Sequence, residues 1–501
     1  MRRDFRRLIA ALGLVFAGGV ATPGAVAATV LAEAAAQSVS RDNTPSLGAP
    51  DLAAAAPVSL SLQDAVTRAL ASDEALAEAR QQVAAATAGV AEARSQRLPR
   101  LDLTGRYARN LLLPSFFVNV DGEIQELQIG ADNEVQAAAT ATLNLWTAGR
   151  ISSAAAAARE GVAAAEHRVE ATASDVRFLV KEAYLGSLLA QEQVEIAQAS
   201  LDQAQEALRV TRASFEQGTA SRYDLMRAEV ELTNRRLPLV EANNQLEQIL
   251  AALRRRVGMP PETPVALTDS LAAAAPPLSV APFVAYARTG SPLVEALRRQ
   301  VAARRQLVSL ARAERWPSLQ LSGNYALQGQ WNQGSLPPDE QVAGSSAVAL
   351  GFSFPVFDGL QTRARVDRAQ ADLRTAELQL EAAVREIDLA VRQAWLSVLN
   401  AQAALEGRRE AVELAEETYR LAVVRIENGL ATPLERLDAE LALTTARAQF
   451  AAALHASNLT VAALELAVGR PLAAVTPDLT GDPDDRDLDP AGGRGPEGEP
   501  R

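Results

Sequence analysis

Two hydrophobic periods alternate along this chain. Between Leu319 and Trp331, Leu319, Leu321, Tyr325, Leu327 and Trp331 fall on one face, and Gln320, Ser322, Asn324, Gln328 and Gln330 fall on the other. That is the period of a strand with one wet side. From Ala347 to Phe357 the apolar set is Val348, Leu350, Phe352, Phe354 and Val356. An earlier pair of stretches matches. Leu101, Leu103 and Tyr107 oppose Asp102, Thr104 and Arg106, and Val135, Leu143 and Leu145 oppose Gln136, Thr140 and Asn144. Four strands are therefore predicted, in hairpins over 99–147 and 317–357.

The other period is helical. Arg150 to Gln217 and Gln361 to Asn428 contain no proline, and at 1.5 Å per residue each predicts a helix about 100 Å long. Their seams step by three and four. One runs Val384, Ile387, Val391, Ala394, Val398, Ala401, Leu405, Arg408, Val412, Ala415, Tyr419, Ala422 and Ile426. The other runs Ala173, Val176, Val180, Ala183, Ser187, Ala190, Val194, Ala197, Leu201, Ala204, Leu208, Thr211 and Phe215. A 3.5-residue repeat sustained this long predicts a coiled coil. Gly218-Thr219-Ala220-Ser221 and Gly429-Leu430-Ala431-Thr432 then break the two helices. Glycine suits the outgoing C-terminus, and Ser221 with Asp224 and Thr432 with Glu435 read as capping boxes that start returning helices.

These elements form two copies of one unit. Ala93–Leu101 aligns with Ala311–Leu319 at an offset of 218, and Gly218, Ala228 and Gly258 align with Gly429, Ala439 and Gly469 at an offset of 211. The slip falls between Asn110 and Leu143, which predicts an insertion-tolerant surface loop there. Each copy is read as a helix, a strand hairpin and a long helical hairpin. The expected organisation is a first repeat over 59–275, with its helical hairpin at 150–257, and a second over 276–472, with its helical hairpin at 360–469. Arg2, Arg3, Arg6 and Arg7, the apolar run Leu8–Val20 and Ala25-Val26-Ala27 predict an export signal over 1–27. Residues 28–58 read as a linker and 473–501 as an acidic disordered tail.

Export changes the meaning of the strands. No later stretch approaches 18 consecutive apolar residues, so no transmembrane helix is expected. The strand runs are near the 9–11 residues that cross a bilayer when tilted, and apolar-out, polar-in alternation is the pattern of a membrane barrel. Tyr107, Trp146, Tyr325, Trp331 and Phe357 are read as girdle residues at strand ends. A soluble hairpin with one face on a core shows the same alternation. If the strands are in lipid, four cannot close a barrel, and lipid tolerates no open edge. Two chains give eight strands, a filled lumen; three give twelve, which leaves a pore.

A repeated strand hairpin, giant helical hairpin and Gly-polar tip resembles the TolC-like outer-membrane efflux proteins. The pieces that carry the likeness are Phe215-x-x-Gly218-x-x-Ser221-x-x-Asp224-Leu225-x-x-Ala228, Ile426-x-x-Gly429-x-x-Thr432-x-x-Glu435-x-x-Asp438-Ala439 and Phe354-Pro355-Val356-Phe357-Asp358-Gly359. The resemblance implies a mainly α chain with transmembrane β: a homotrimeric twelve-stranded outer-membrane barrel, four strands per chain, continued by a periplasmic coiled-coil barrel. It implies an exit duct of a tripartite efflux or type I secretion system, in outer-membrane lipid, partnered by a periplasmic adaptor and an inner-membrane transporter. The adaptor contacts it implies are Gly218, Thr219, Ala220, Ser221, Gly429, Leu430, Ala431 and Thr432. It also implies an aperture ring at Glu435 and Asp438. Their first-repeat equivalents are Asp224 and Arg227, and Arg227 is placed to pair with acids across the tip. A periplasmic coiled-coil scaffold or an oligomeric envelope protein without a pore remains the alternative.

The net charge of −12 argues against nucleic acid as a partner. The chain has no cysteine, hence no disulfide and no thiolate site. His167 and His455 lie on separate helices and read as surface residues. The Asp482–Asp489 cluster lacks the glycine and distal glutamate of a calcium loop. No phosphate loop, dinucleotide fingerprint or nucleophile elbow is present. No enzyme activity, cofactor or metal is expected.

Overall fold

The computed structural model describes residues 57–120, 123–273, 279–332, 342–428 and 430–475. The export signal, most of the linker, residues 476–501 of the tail, Gly429 and the Ala275-Pro276-Pro277 connection lie outside the described residues. The first residues of the expected tail, 473–475, instead follow a short 3-10 turn into the core of the second repeat, where Val475 is buried.

Two helices of 67 residues dominate: α3 (Arg150–Glu216) and α7 (Gln361–Glu427). They return through α4 (Arg222–Arg256) and α8 (Pro433–Val468). The seams behave as their spacing demands. Every seam residue of α3 except Phe215, and every one of α7 except Arg408, is buried or half-buried. Interior Pro238 leaves α4 continuous, although it removes one backbone donor. In packing order the four helices run α4–α3–α8–α7, so α4 and α7 are the outer ones.

The helix preceding each strand hairpin is two helices, not the single one expected. α1 (Leu62–Ser72) and α2 (Glu74–Ser95) meet at Asp73, whose carboxylate accepts from Leu76 N at 3.1 Å. α5 (Ala281–Gly290) and α6 (Pro292–Ala313) meet at Ser291, which Pro292 holds out of the helical region.

The repeat is visible in the cores. One core joins Ala65 and Ala69 of α1 to Val176, Val180 and Tyr184 of α3 and Leu253 and Val257 at the end of α4. The other joins Phe283 and Ala287 of α5 to Ile387 and Val391 of α7 and Leu464 and Val468 of α8. The offsets of 218 and 211 carry one set onto the other. Helix α8 holds an 18-residue window of mean hydropathy 1.4, enough by length and composition to cross a membrane. Its apolar residues are interspersed with polar ones, so no unbroken apolar run marks it in the sequence. In the fold, its Leu443, Ala451, Ala462, Leu464 and Val468 are buried, and the helix packs on α7 and α3.

Four long strands form one antiparallel sheet: β2 (Arg100–Arg109), β5 (Asn133–Trp146), β7 (Ser318–Trp331) and β8 (Val342–Ser353), in the order β2-β5-β7-β8. The two repeats therefore join through β5 and β7. The expected loop between β2 and β5 holds a second hairpin, β3 (Ser115–Val120) with β4 (Glu123–Gln128). Three details depart from the alternation read in the sequence. β8 stops at Ser353 rather than Phe357, because Pro355 has no N–H for the ladder. A bulge between Asn144 and Trp146 leaves Leu145 out of register and pairs Trp146 with Leu319. Tyr325 sits mid-sheet, opposite Ala139 and Ser346.

A short parallel pair, β1 (Val58–Leu60) with β6 (Val265–Leu267), closes the first repeat. Tyr184 ties it to α3. Its Oη lies 2.9 Å from both Leu60 O and Asp269 Oδ2, and Leu62 N donates to the same carboxylate at 2.8 Å. Tyr184 is fully buried. Burial first, then the Asp269 hydrogen bond, pushes its pKa up to about 12. The fold favours the neutral phenol, so its contribution is complete below pH 10 and lost as pH rises through about 12. Tyr184→Phe removes one of two donors to Leu60 O, which keeps Thr268 N at 3.2 Å, and is expected to cost about 0.5–1.5 kcal/mol. Urea unfolding followed by helix circular dichroism measures it, and the variant should lose the alkaline decline attributable to this phenol.

Candidate functional site

Two places carry chemistry beyond packing: the sheet at one end of the long helices and the turns at the other. In the sheet, register aligns the alternation of all four strands. Leu101 pairs with Ala141, Ala141 with Gly323, and Gly323 with Val348. Two residues further along, Leu103, Ala139, Tyr325 and Ser346 form the next row on that face. The same face carries Val135, Leu143, Leu319, Leu321, Leu327, Leu350 and Phe352. The opposite face carries Asp102, Thr104, Arg106, Gln136, Thr140, Gln320, Asn324 and Gln328. On this face the edge strands are bare, with Leu101 75% exposed, Val348 80% and Phe352 69%, whereas on the inner strands Val135 and Trp331 are buried and Leu143, Leu319, Leu321 and Leu327 half-buried. A water-soluble sheet covers such a face.

Aromatic residues bound that face. Tyr107 and Trp331 stack with ring centroids 6.1 Å apart at one end, and the Tyr107 hydroxyl donates to Asn133 Oδ1 at 2.8 Å. Trp146 and Phe352 flank Leu319 at the end nearer the helices. Between Leu319 and Trp331 the strand runs roughly 40 Å at 3.3 Å per residue. Tilted by about 45°, that projects to about 28 Å, near the height of a lipid-facing band. Phe357 lies beyond the strand on the connection to α7, not within the ladder.

The turns are built by capping. At the first, Gly218 takes φ +79°, a left-handed conformation that suits glycine. Ser214 O then accepts from Thr219 N at 2.9 Å, Ala220 N at 3.2 Å and Thr219 Oγ1 at 2.9 Å. Ser221 and Asp224 cap α4 reciprocally: Asp224 N donates to Ser221 Oγ at 3.2 Å, and Ser221 N to Asp224 Oδ2 at 3.0 Å. The Ser221 hydroxyl also donates to Asp224 Oδ2 at 2.6 Å, and this bond first, then the one from Ser221 N, pulls the Asp224 pKa below the usual carboxylate value. At the second turn Leu430 N donates to Arg425 O at 2.7 Å, and Thr432 and Glu435 form the same reciprocal box before Pro433. Gly218, Thr219, Ser221, Leu430 and Thr432 are exposed, and Ala220 and Ala431 are half-buried.

Glu435 and Asp438 are both exposed on one face of α8. Glu435 is partly engaged, 3.7 Å from Arg425. Asp438 borders a groove with Ala411, Ala415 and Leu441. Asp224 is committed to its cap. Arg227 makes no ion pair with a described residue, so the cross-tip pairing expected for it is not seen. Two further expectations change. His167 Nδ1 lies 3.2 Å from Glu170 Oε2, and His455 is half-buried, which pushes its pKa down.

Sequence reading missed a buried charge about two turns above the second tip. Glu440 is only 3% exposed. Arg436 faces it from its own helix, Arg235 and Glu231 from α4, and Tyr419 from α7. Arg235 is itself engaged by Glu231 at 2.6 Å. Burial outweighs the arginines and raises the Glu440 pKa. An i, i+4 glutamate on a helix carries no outward sign of burial, which is why only packing reveals it.

A family model described as outer membrane efflux protein matches residues 65–259 and 284–470. The chain belongs to the outer membrane efflux protein family. Alkaline protease secretion protein AprF of Pseudomonas aeruginosa is 30% identical over 217 residues, 42% of this chain and 44% of AprF. Cobalt-zinc-cadmium resistance protein CzcC of Cupriavidus metallidurans is 24% identical, over 59% of this chain and 68% of CzcC. The chain thus spans less than half of AprF's length. Crystal structures of CusC share the fold with a TM-score of 0.66 at 20% identity, covering 82% of this chain and 92% of that one.

Because burial disfavours the Glu440 carboxylate, stability should fall as pH rises through its folded pKa. Glu440→Gln is expected to raise the melting temperature most above the folded Glu440 pKa, with the gain fading as pH falls through that value and gone below about pH 4.3, the ordinary glutamate value. Paired thermal melts across that range measure it.

Proposed function

We propose that the chain is one protomer of a homotrimeric exit duct of the outer membrane, reached from a periplasmic adaptor and an inner-membrane transporter. The supporting observation is an apolar face, bare along its edge strands, on a sheet that ends, within the chain, at β2 and β8. In hydrocarbon every strand edge needs a ladder partner. Placing β8 of one copy beside β2 of the next closes the sheet, and three copies give twelve strands around a lumen lined by the polar face. The outer helices α4 and α7 would meet in the same way. Tyr223, Val230 and Leu237 recur every seven residues on α4 and are 70%, 59% and 61% exposed, a seam with no partner inside the protomer.

Within this reading, residues 1–27 are the export signal, 28–58 a linker and 476–501 a tail. The exposed turn residues Gly218, Thr219, Ala220, Ser221, Gly429, Leu430, Ala431 and Thr432 meet the adaptor. The duct is passive, and its cargo is whatever the transporter delivers. The decisive experiment purifies the full chain from outer-membrane fractions. A trimer mass in detergent, heat-modifiable migration and stepwise conductance in a planar bilayer are expected. A monomer, or a protein recovered in the soluble envelope fraction, overturns the duct.

Three-fold symmetry would turn Glu435 and Asp438 into rings, a device that favours cations. Converting Glu435→Gln and Asp438→Asn together is expected to move the reversal potential under a salt gradient toward zero. An unchanged reversal potential removes the ring from the proposal.

A further inference from the structure

A cleft of about 270 Å³ opens where α1, α3 and the end of α8 meet, at the small end of ligand-pocket sizes. One wall is Ser174, Arg177, Phe178 and Lys181, spaced i, i+3, i+4, i+7 on a single face of α3. Glu465 and Arg470 come from the last turn of α8 and its exit, and Leu62 and Val66 from α1. Cations outnumber carboxylates here. Lys181 is the chain's single lysine among 49 basic residues, and it pairs with Glu465 Oε2. The other Glu465 oxygen accepts from Leu472 N at 3.2 Å. The one acid of the cleft is therefore engaged at both oxygens.

Two guanidiniums are left over. Arg177 reaches only Ser174 Oγ, at 3.5 Å, and that hydroxyl donates its own proton to Gly469 O at 2.8 Å. Arg470 lies 5.9 Å from the Tyr286 ring centroid. Neither has a carboxylate partner among the described residues. Beside these cations, Leu62, Val66 and Phe178 offer an apolar wall.

We propose that this cleft binds a small organic carboxylate, its anion held chiefly by Arg177 beside Lys181, with Arg470 adding positive charge at the rim, and its apolar body laid on Leu62, Val66 and Phe178. A compact inorganic anion would leave the apolar wall unused. Lys181 stands about 45 Å along α3 from the strand junction at 1.5 Å per residue, which puts the cleft beyond the reach of lipid headgroups. None of its walls lies on α4 or α7, the helices through which the proposed trimer would close. A bound carboxylate bridges the first repeat to the end of the second.

The test titrates the full chain in amphipol with hexanoate by calorimetry, with hexan-1-ol and inorganic phosphate as controls. Saturable binding of hexanoate alone is expected. Arg177→Gln should weaken it by at least about tenfold, the loss of one charge-assisted hydrogen bond. Arg470→Gln, at an exposed position, provides a second variant should the first misfold, with a loss of a few fold expected. Absent hexanoate binding, equal binding of hexanol, binding of phosphate alone, or unchanged affinity in the folded variants each overturns the site.

Discussion

The structure turns on backbone groups at the margins of one sheet. Within the chain the ladder ends at β2 and β8, and the apolar face is bare along those margins. In water, an exposed edge is a liability that charge or proline usually blunts. Here β8 carries Val342, Val348, Leu350 and Phe352 with no charged residue along it. Such a strand suits an environment that forbids open edges altogether, where a sister strand must complete the ladder. The proposed closure therefore rests on the same residues that make the isolated protomer poorly suited to water.

A second constraint connects this sheet to the helices. Each long helix leaves the sheet through two consecutive left-handed residues: Ala148 and Gly149 before α3, Gly359 and Leu360 before α7. The positions are equivalent at the offset of 211, yet glycine occupies the second place in one copy and the first in the other. A non-glycine residue there costs about 1–2 kcal/mol. Both copies retain the strained geometry while exchanging which residue bears it. The requirement thus lies in the backbone path, which redirects the chain from a tilted strand onto a helix about 100 Å long.

Much of this was legible in the sequence because it is periodic. Long alternations and heptads recurring over helices of 67 residues leave little freedom in the face each side chain occupies. The tips were legible through capping chemistry, since Ser221-x-x-Asp224 and Thr432-x-x-Glu435 state both where a helix begins and which groups satisfy its first turn. What was missed is aperiodic. The β1–β6 pair is three residues on each side and depends on Tyr184 from a distant helix. The breaks at Asp73 and Ser291 interrupt patterns that otherwise read as continuous helices. The strand end at Ser353 hangs on one missing N–H at Pro355, and the repeat itself misled there, because the equivalent Asn144 lets β5 continue to Trp146.

The two repeats also differ in how charge is stored near the tips, and the difference follows from packing order. α4 is an outer helix and α8 an inner one, so equivalent positions meet different neighbours. The first-repeat equivalent of Glu440 is Glu229, which is exposed and pairs with Arg212 of α3 at 3.2 Å. Glu440 instead lies against α4 and α7, where Arg235 is already held by Glu231. One glutamate makes an ordinary surface pair, and its counterpart becomes a buried acid with its pKa raised. A buried, incompletely matched charge destabilises the packing around it. The two tips therefore differ in how they store charge, and the one with the buried acid is the one that carries Glu435 and Asp438.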